Sequence, residues 1–199
     1  MSTAVASVLK YRPRRSAADA TAWLGMVVFL ASWTMLFAAL FAVYAVLRVR
    51  APAWPPPDLP RLPLLLPGAN TLAIVASGIA LQSALHFSRT GRVARVLPAA
   101  VAALVLGAIF LAGQSALWVG LWREGLRPEG GPFPSVFYGL TAFHALHVLV
   151  GLFGLAFVVL RASRASYGPT RHLGLRLWCG YWHFVGVIWL LLYVTIFVL

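Results

Sequence analysis

Acidic residues are scarce in this chain of 199 residues, which has four Asp and Glu against sixteen Lys and Arg. All four acids, Asp19, Asp58, Glu124 and Glu129, lie outside the long apolar runs. Pumps and carriers usually place Asp, Glu or Lys inside the bilayer to move protons or ions. The sequence therefore disfavours a protein that transports protons or ions by itself.

Cysteine is limited to Cys179, which excludes an internal disulfide and a metal site built from cysteines alone. The sequence also contains no paired nucleophile and base, no phosphate-binding loop and no zinc motif. The net charge is +12, but the arginines lie in short gaps between apolar runs. There they set membrane topology and meet anionic lipid headgroups, so binding to nucleic acid is not predicted.

Apolar residues are abundant instead, with 61% of the chain hydrophobic and only 10% charged. Soluble domains are about 45–50% apolar and about 25% charged. Lipid cannot satisfy backbone polar groups, so spanning runs must be helices, each of about 20 residues. We therefore predict an all-α, polytopic membrane protein with five transmembrane helices, approximately Ala22–Leu47, Ala69–Phe87, Val96–Leu121, Phe133–Leu160 and Gly174–Leu199.

Proline and glycine mark the boundaries of these runs. Pro67 and Gly68 precede the second run, and Asn70 is placed to cap its first turn. Pro98 falls in the first turn of the third run and Pro132 opens the fourth, where the missing N–H costs little. The proline-rich stretch over residues 51–67 is predicted to be an extended surface loop and not a domain.

The basic residues predict the orientation of the chain. Cytoplasmic loops carry an excess of Lys and Arg, which places the N-terminus in the cytoplasm and the C-terminus outside. The expected units are a basic cytoplasmic segment over residues 1–21 and a membrane domain over residues 22–199. Eleven basic residues lie on the predicted cytoplasmic side: Lys10, Arg12, Arg14, Arg15, Arg89, Arg92, Arg95, Arg161, Arg164, Arg171 and Arg176.

Polar side chains inside the fourth run fall on one helical face. His144 and His147 are three residues apart and therefore neighbours on the helix surface. Thr141 and Gly151 continue this stripe, and small residues allow two helices to approach closely. The stripe predicts a packed contact with another helix.

The fifth run carries a similar stripe made of Gly180, His183 and Gly186, close to Tyr181 and Trp182. We expect it to face the stripe of the fourth run. The histidines would then form hydrogen bonds with Gln114 of the third run, with Thr141, with a tyrosine or with a backbone carbonyl. The tryptophans are expected mostly in interfacial belts, except Trp33 near the middle of the first run.

A metal or haem site built from His144, His147 and His183 is the alternative, because imidazole binds copper, zinc and haem iron. These residues supply at most three ligands and no carboxylate. The residues by themselves thus favour a structural or interaction subunit over an independent haem enzyme or transporter.

In these motifs the sequence resembles subunit III of the haem–copper terminal oxidases, from about Trp23 to Leu199. Several motifs in the same order make the resemblance specific. They include Asn70-Thr71, Gly107-Ala-Ile-Phe-Leu-Ala-Gly-Gln114, Thr141-Ala-Phe-His-Ala-Leu-His-Val148 and Tyr181-Trp-His-Phe-Val185 with Trp189.

Three positions depart from the pattern of that family. Trp33, Leu117 and Gly186 stand where its members usually carry carboxylates. Roles proposed for those carboxylates in lipid anchoring and proton uptake therefore do not transfer directly. The histidines and aromatic residues are present, which fits a role in helix packing.

The resemblance implies a non-catalytic subunit of the bacterial inner membrane that has no haem or copper of its own. Oxidase subunits I and II would be its partners, with haem and copper held there, and the complex would take electrons from cytochrome c or from quinol. It would hold phospholipid, with Arg48, Arg89 and Arg176 as candidate contacts, and support proton uptake. The alternative is a related accessory protein of a nitric oxide reductase system.

Overall fold

The chain folds into five long helices. The computed structural model describes residues 17–60 and 62–199, so most of the basic segment over residues 1–21 lies outside the described residues. Each helix is long and apolar enough to cross a membrane, which confirms the prediction of an all-α protein with five spans. The helices are α1 (Ala17–Arg50), α2 (Leu65–Arg89), α3 (Val96–Arg123), α4 (Pro132–Ser163) and α5 (Leu173–Tyr193).

The helix starts predicted from proline positions agree with the structure for α3 and α4 and differ for α2. Pro98 lies in the first turn of α3 and Pro132 is the first residue of α4, as predicted. The start of α2 was predicted wrongly. It begins at Leu65, because a proline such as Pro67 fits within a first turn. Asn70 is consequently not a cap but a buried side chain inside the helix.

Four helices form a ring in which α2 contacts α3 and α5, and α4 contacts the same two neighbours. Helix α1 packs on the outside of this ring against α4 and α5. Only 6% of the most apolar 18-residue stretch of α1 is buried, compared with 44% of the corresponding stretches of α4 and α5. The interior of the protein therefore lies among α2–α5, and α1 is peripheral.

The connector between α1 and α2 is fastened to one end of the bundle by Trp54. Its indole Nε1 donates to the hydroxyl of Tyr44 at 3.1 Å, and its ring meets Phe133 edge-on at 5.1 Å between centroids. The Tyr44 hydroxyl donates in turn to the carbonyl of Thr195 at 3.0 Å, in the π-helix Val194–Val198 that follows α5. Residues that are distant in sequence thus close the same end of the bundle.

Candidate helix-packing core

Tryptophans of α5 fill the space that glycines leave on neighbouring helices. A Cβ atom on Gly151 of α4 would lie 2.5 Å from Cζ3 of Trp182, and one on Gly107 of α3 would lie 2.8 Å from Cζ2. A Cβ atom on Gly154 would lie 2.1 Å from Cε3 of Trp178. Since real Cβ atoms essentially never come this close, these glycines are required for the aromatic face of α5 to enter the ring.

Hydrogen bonds to small hydroxyl groups fix the register of α5 against α2. Trp182 Nε1 donates to Ser77 Oγ at 3.0 Å, and Trp189 Nε1 donates to Thr71 Oγ1 at 3.0 Å. Ser77 Oγ also donates to the carbonyl of Ala103 at 2.6 Å, which connects α2 with α3. Each indole N–H is therefore satisfied in a place where lipid could offer it no partner.

The prediction of interfacial belts is wrong for Trp189, which is buried in the ring together with Trp182. Their N–H groups have partners on α2, so burial leaves no donor unpaired. Trp118 lies partly buried between α3 and α4, where its Nε1 donates to Thr141 Oγ1 at 3.1 Å. Length and hydropathy alone do not separate such internal tryptophans from interfacial ones.

Thr141 and Tyr181 lie in the contacts of α4 with its neighbours. Thr141 accepts the bond from Trp118 and donates to the carbonyl of Phe137 at 2.7 Å. The Tyr181 hydroxyl donates to the carbonyl of His147 at 3.0 Å, which joins α5 to α4. Both side chains are buried, so the stripe predicted on α4 does lie inside the bundle.

His144 is 1% exposed and is surrounded by aromatic rings. Its ring centroid lies 6.0 Å from that of Phe110 and 5.6 Å from that of Trp189. Neither of its ring nitrogens nor the side-chain amide of the buried Gln114 has a hydrogen-bond partner among the described residues. The prediction that His144 bonds to Gln114 or Thr141 is therefore wrong, and packing against rings takes its place.

His147 faces α1. Its Nδ1–H donates to the carbonyl of Phe143 at 2.7 Å, whereas its buried Nε2 has no hydrogen-bond partner among the described residues. Trp33 meets the imidazole edge-on, with the ring centroids 4.2 Å apart. Trp33, which stands in place of a carboxylate according to the resemblance, thus covers the histidine and gives α1 one of its contacts with the ring of helices.

His183 lies on the outer surface, and its predicted position facing α4 is wrong. The ring packs near Gly78 of α2, and Nε2 donates to Gln82 Oε1 at 3.3 Å. Because the tryptophans of α5 take the inward positions, the smaller stripe that includes Gly180 and Gly186 is rotated away from α4. The positions of the small residues predicted the inner face of α5, whereas the large aromatic side chains occupy that face.

The other two positions without carboxylates differ from each other. Leu117 is buried in α3, whereas a Cβ atom on Gly186 would have no atom of another described residue within 4 Å. With His144 inside the ring, His147 turned toward α1 and His183 on the outer surface, the structure does not bring the three histidines together. Among residues 17–60 and 62–199, no group of three or more His, Cys, Asp or Glu is placed to hold a metal ion.

The three candidate lipid-binding arginines lie at two ends of the bundle. Arg89 ends α2, and Arg176 stands over the ring of Trp23 at 4.3 Å near the start of α5. Arg48 is at the opposite end, where its guanidinium donates to the carbonyl of Leu199. A single lipid headgroup therefore cannot contact all three.

Two apolar grooves lie near Arg48, between α1 and the start of α4. The first has a volume of about 480 Å³ and is lined by Leu47, Arg50, Trp54 and several prolines of the connector. The second, of about 430 Å³, continues along α1 and α4 and shares Leu47 and Pro132 with the first. Together they form an apolar path that begins beside a basic residue.

A bundle of five apolar helices, closed by interlocking tryptophans and glycines, defines a multi-pass membrane protein. The family profile described as "Cytochrome c oxidase subunit III" matches residues 14–199. Cytochrome c oxidase subunit 3 of Synechocystis sp. is 36% identical over 176 residues, covering 88% of this chain and 74% of the relative. The probable cytochrome c oxidase subunit 3 of Nocardia farcinica is 34% identical, covering 87% and 85%.

The chain is also similar to cytochrome c oxidase subunit 3 of Osphranter robustus. The two are 32% identical, and the match covers 87% of this chain and 67% of the relative. The chain belongs to the cytochrome c oxidase subunit III family. Its family places it in an oxidoreductase complex of the respiratory chain. The expectation drawn from the sequence motifs is thereby confirmed.

Proposed function

We propose that this chain is a non-catalytic subunit of a bacterial oxidase that receives electrons from cytochrome c, as the names of its relatives suggest. The observation that carries the proposal is the filled interior of the α2–α5 ring. Trp182 and Trp189 occupy it, and their N–H groups bond to α2. These side chains serve helix packing, and haem and copper would be held by the partner subunits I and II.

The excess of basic residues supports a cytoplasmic N-terminus and an external C-terminus in the bacterial inner membrane. In this orientation Arg89 and Arg176 lie on the cytoplasmic side, and Arg48 on the outer side. Residues 1–21 then form a basic cytoplasmic segment ahead of the membrane domain over residues 22–199. That segment would lie near anionic headgroups of the inner leaflet.

Phospholipid binding is proposed at the two grooves near Arg48. An acyl chain fits an apolar path between α1 and α4, and Arg50, which lines the first groove, suits a phosphate headgroup. Arg48 lies two residues before it in the sequence. Arg89 and Arg176 would contact separate lipids at the other end of the bundle. The polar groups Gln114, Thr141, His144, His147, Tyr181 and Trp182, with Gly151, are proposed as helix-packing residues, and His183 as an outward-facing one.

Deletion of the gene for this chain tests the non-catalytic role. We expect the remaining complex to keep its haem spectrum and its initial rate of oxygen uptake, because the redox groups belong to the partners. Activity should then decline during sustained turnover, because proton uptake has lost its support, and fewer phospholipids should co-purify. A complex that loses its haem signal or shows no initial activity would contradict the proposal, provided that the partner subunits are present in the membrane at normal levels.

A further inference from the structure

Most of the polar groups that α1 and α3 expose within the membrane are small hydroxyls. Ser32 and Thr34 of α1 donate to the carbonyls of Phe29 and Leu30, and Ser115 of α3 donates to that of Leu111. A hydroxyl that bonds to its own helix leaves no strong donor to be satisfied from outside. Such surfaces are compatible with contact to lipid tails.

The face formed by α2 and α5 is different, because it exposes an amide and an imidazole. The Oε1 atom of Gln82 accepts from Nε2 of His183 at 3.3 Å and from Sγ of Cys179 at 3.0 Å. Among the described residues, no further hydrogen bond involves the amide nitrogen of Gln82 or Nδ1 of His183. Both side chains are exposed on the surface of the bundle.

The depth of this pair makes contact with lipid costly. His183 is ten residues from the start of α5 at Leu173, about 15 Å along a helix that rises 1.5 Å per residue. This distance is about half the thickness of a hydrocarbon core. Strongly polar side chains at such a depth usually face other protein groups, because hydrocarbon offers neither donors nor acceptors.

A groove beside the pair has the shape that a helix needs for close approach. It has a volume of about 170 Å³ and includes Gly78, Ile79, His183, Gly186 and Val187 among its lining residues. At Gly186 a Cβ atom would find no neighbour within 4 Å in the part of the chain that the structure describes. Small residues that flank polar groups are typical of contacts between transmembrane helices.

We propose that the α2–α5 face docks a transmembrane helix of the catalytic subunit, which carries a hydrogen-bonding side chain opposite Gln82 and His183. This inference rests on the proposed function and adds the surface through which the two subunits bind. A polypeptide is favoured over lipid because it can satisfy both the amide nitrogen and the imidazole Nδ1. The free space at Gly186 would be closed by the side chains of the docked helix.

Replacement of Gly186 with leucine tests the docking surface without disturbing the contacts around the glycine. Wild-type and variant chains, each tagged, are purified with the whole complex in mild detergent from the native membrane. We expect G186L to reduce the amount of catalytic subunit recovered per tagged chain by about tenfold, since overpacking an interface is destabilising. The matched control is G120L, because Gly120 of α3 is also free of neighbours within 4 Å, and it should retain wild-type recovery.

The outcomes separate the two levels of the proposal. If the wild-type chain brings down no haem–copper subunit, the proposed function fails. If the wild type does so and G186L retains its partner as well as G120L does, only the docking surface is overturned. Both variants must be present in the membrane in wild-type amounts, as an immunoblot would establish.

Photo-crosslinking supplies a second test that needs no destabilising change. Benzoylphenylalanine is placed at the exposed Val187 of this groove or at Met35 of α1, which is 76% exposed, in the assembled complex. We expect Val187 to crosslink to the catalytic subunit and Met35 not to do so. Crosslinking of Val187 to lipid alone, or to a second copy of this chain, would overturn the assignment.

Discussion

Substitution of Trp182 with alanine is expected to lower the free energy of unfolding by about 3 kcal/mol, near the lower end for buried tryptophans. We expect a value near the lower end of the range because lipid tails are as apolar as the protein core. The substitution therefore removes mainly van der Waals packing energy. The side chain is 1% exposed and joins three partners: it fills the space at Gly107 and Gly151 and donates to Ser77. Its removal leaves a cavity in the ring and leaves Ser77 Oγ without the N–H group that donates to it.

The measurement is reversible unfolding of the purified full chain by SDS titration in mixed micelles. The matched control is Trp122→Ala, because Trp122 is 46% exposed on the outer face of α3 and meets the ring of Tyr138 at 6.3 Å between centroids. The control should change the free energy of unfolding by less than about 1 kcal/mol. Equal effects of the two substitutions would show that Trp182 does not anchor the ring.

The second large effect is expected at Gly151, where alanine should destabilise the bundle by about 2 kcal/mol. The added Cβ atom would lie 2.5 Å from Cζ3 of Trp182 and 3.2 Å from Cε1 of Tyr181. The indole cannot simply move away, because it also fits against Gly107 and is bonded to Ser77. Either α4 and α5 move apart, or the Trp182 side chain leaves its packed position against Gly107 and Ser77.

Gly139 provides the control on the same helix. A Cβ atom there would have no neighbour within 4 Å, so Gly139→Ala should be neutral, or stabilising by up to about 1 kcal/mol through its better helix propensity. SDS titration compares the two variants directly. If G151A proves as stable as G139A, the close fit of α4 against Trp182 is not what holds these helices together.

The number of spans and most of their boundaries could be predicted because the bilayer limits the choice. Apolar runs of sufficient length must become helices in lipid, and Pro98 and Pro132 mark where two of them begin. Thr141, His144 and Gly151 of the predicted stripe are buried in the bundle, and small and polar residues favour such contacts between helices. These inferences need only local sequence.

The rotation of α5 could not be predicted from the same information. Small residues are typical of contacts between helices, but they do not show whether they receive a neighbouring side chain or lie on the outer surface. The observed solution pairs large residues of one helix with glycines of another, Trp182 with Gly151, and thereby turns His183 outward. Which glycine receives which tryptophan depends on pairing across the fold, and one sequence does not reveal that pairing.

Purification of the complex through a tag on this chain tests the central claim most directly. The co-purifying subunits are identified by mass spectrometry, and a reduced-minus-oxidised spectrum is recorded on the same sample. We predict an a- or o-type haem signal together with a large multi-span catalytic subunit. A b- and c-type spectrum with nitric oxide reductase subunits, or a solitary chain that itself binds haem, would contradict the assignment to a cytochrome c oxidase complex.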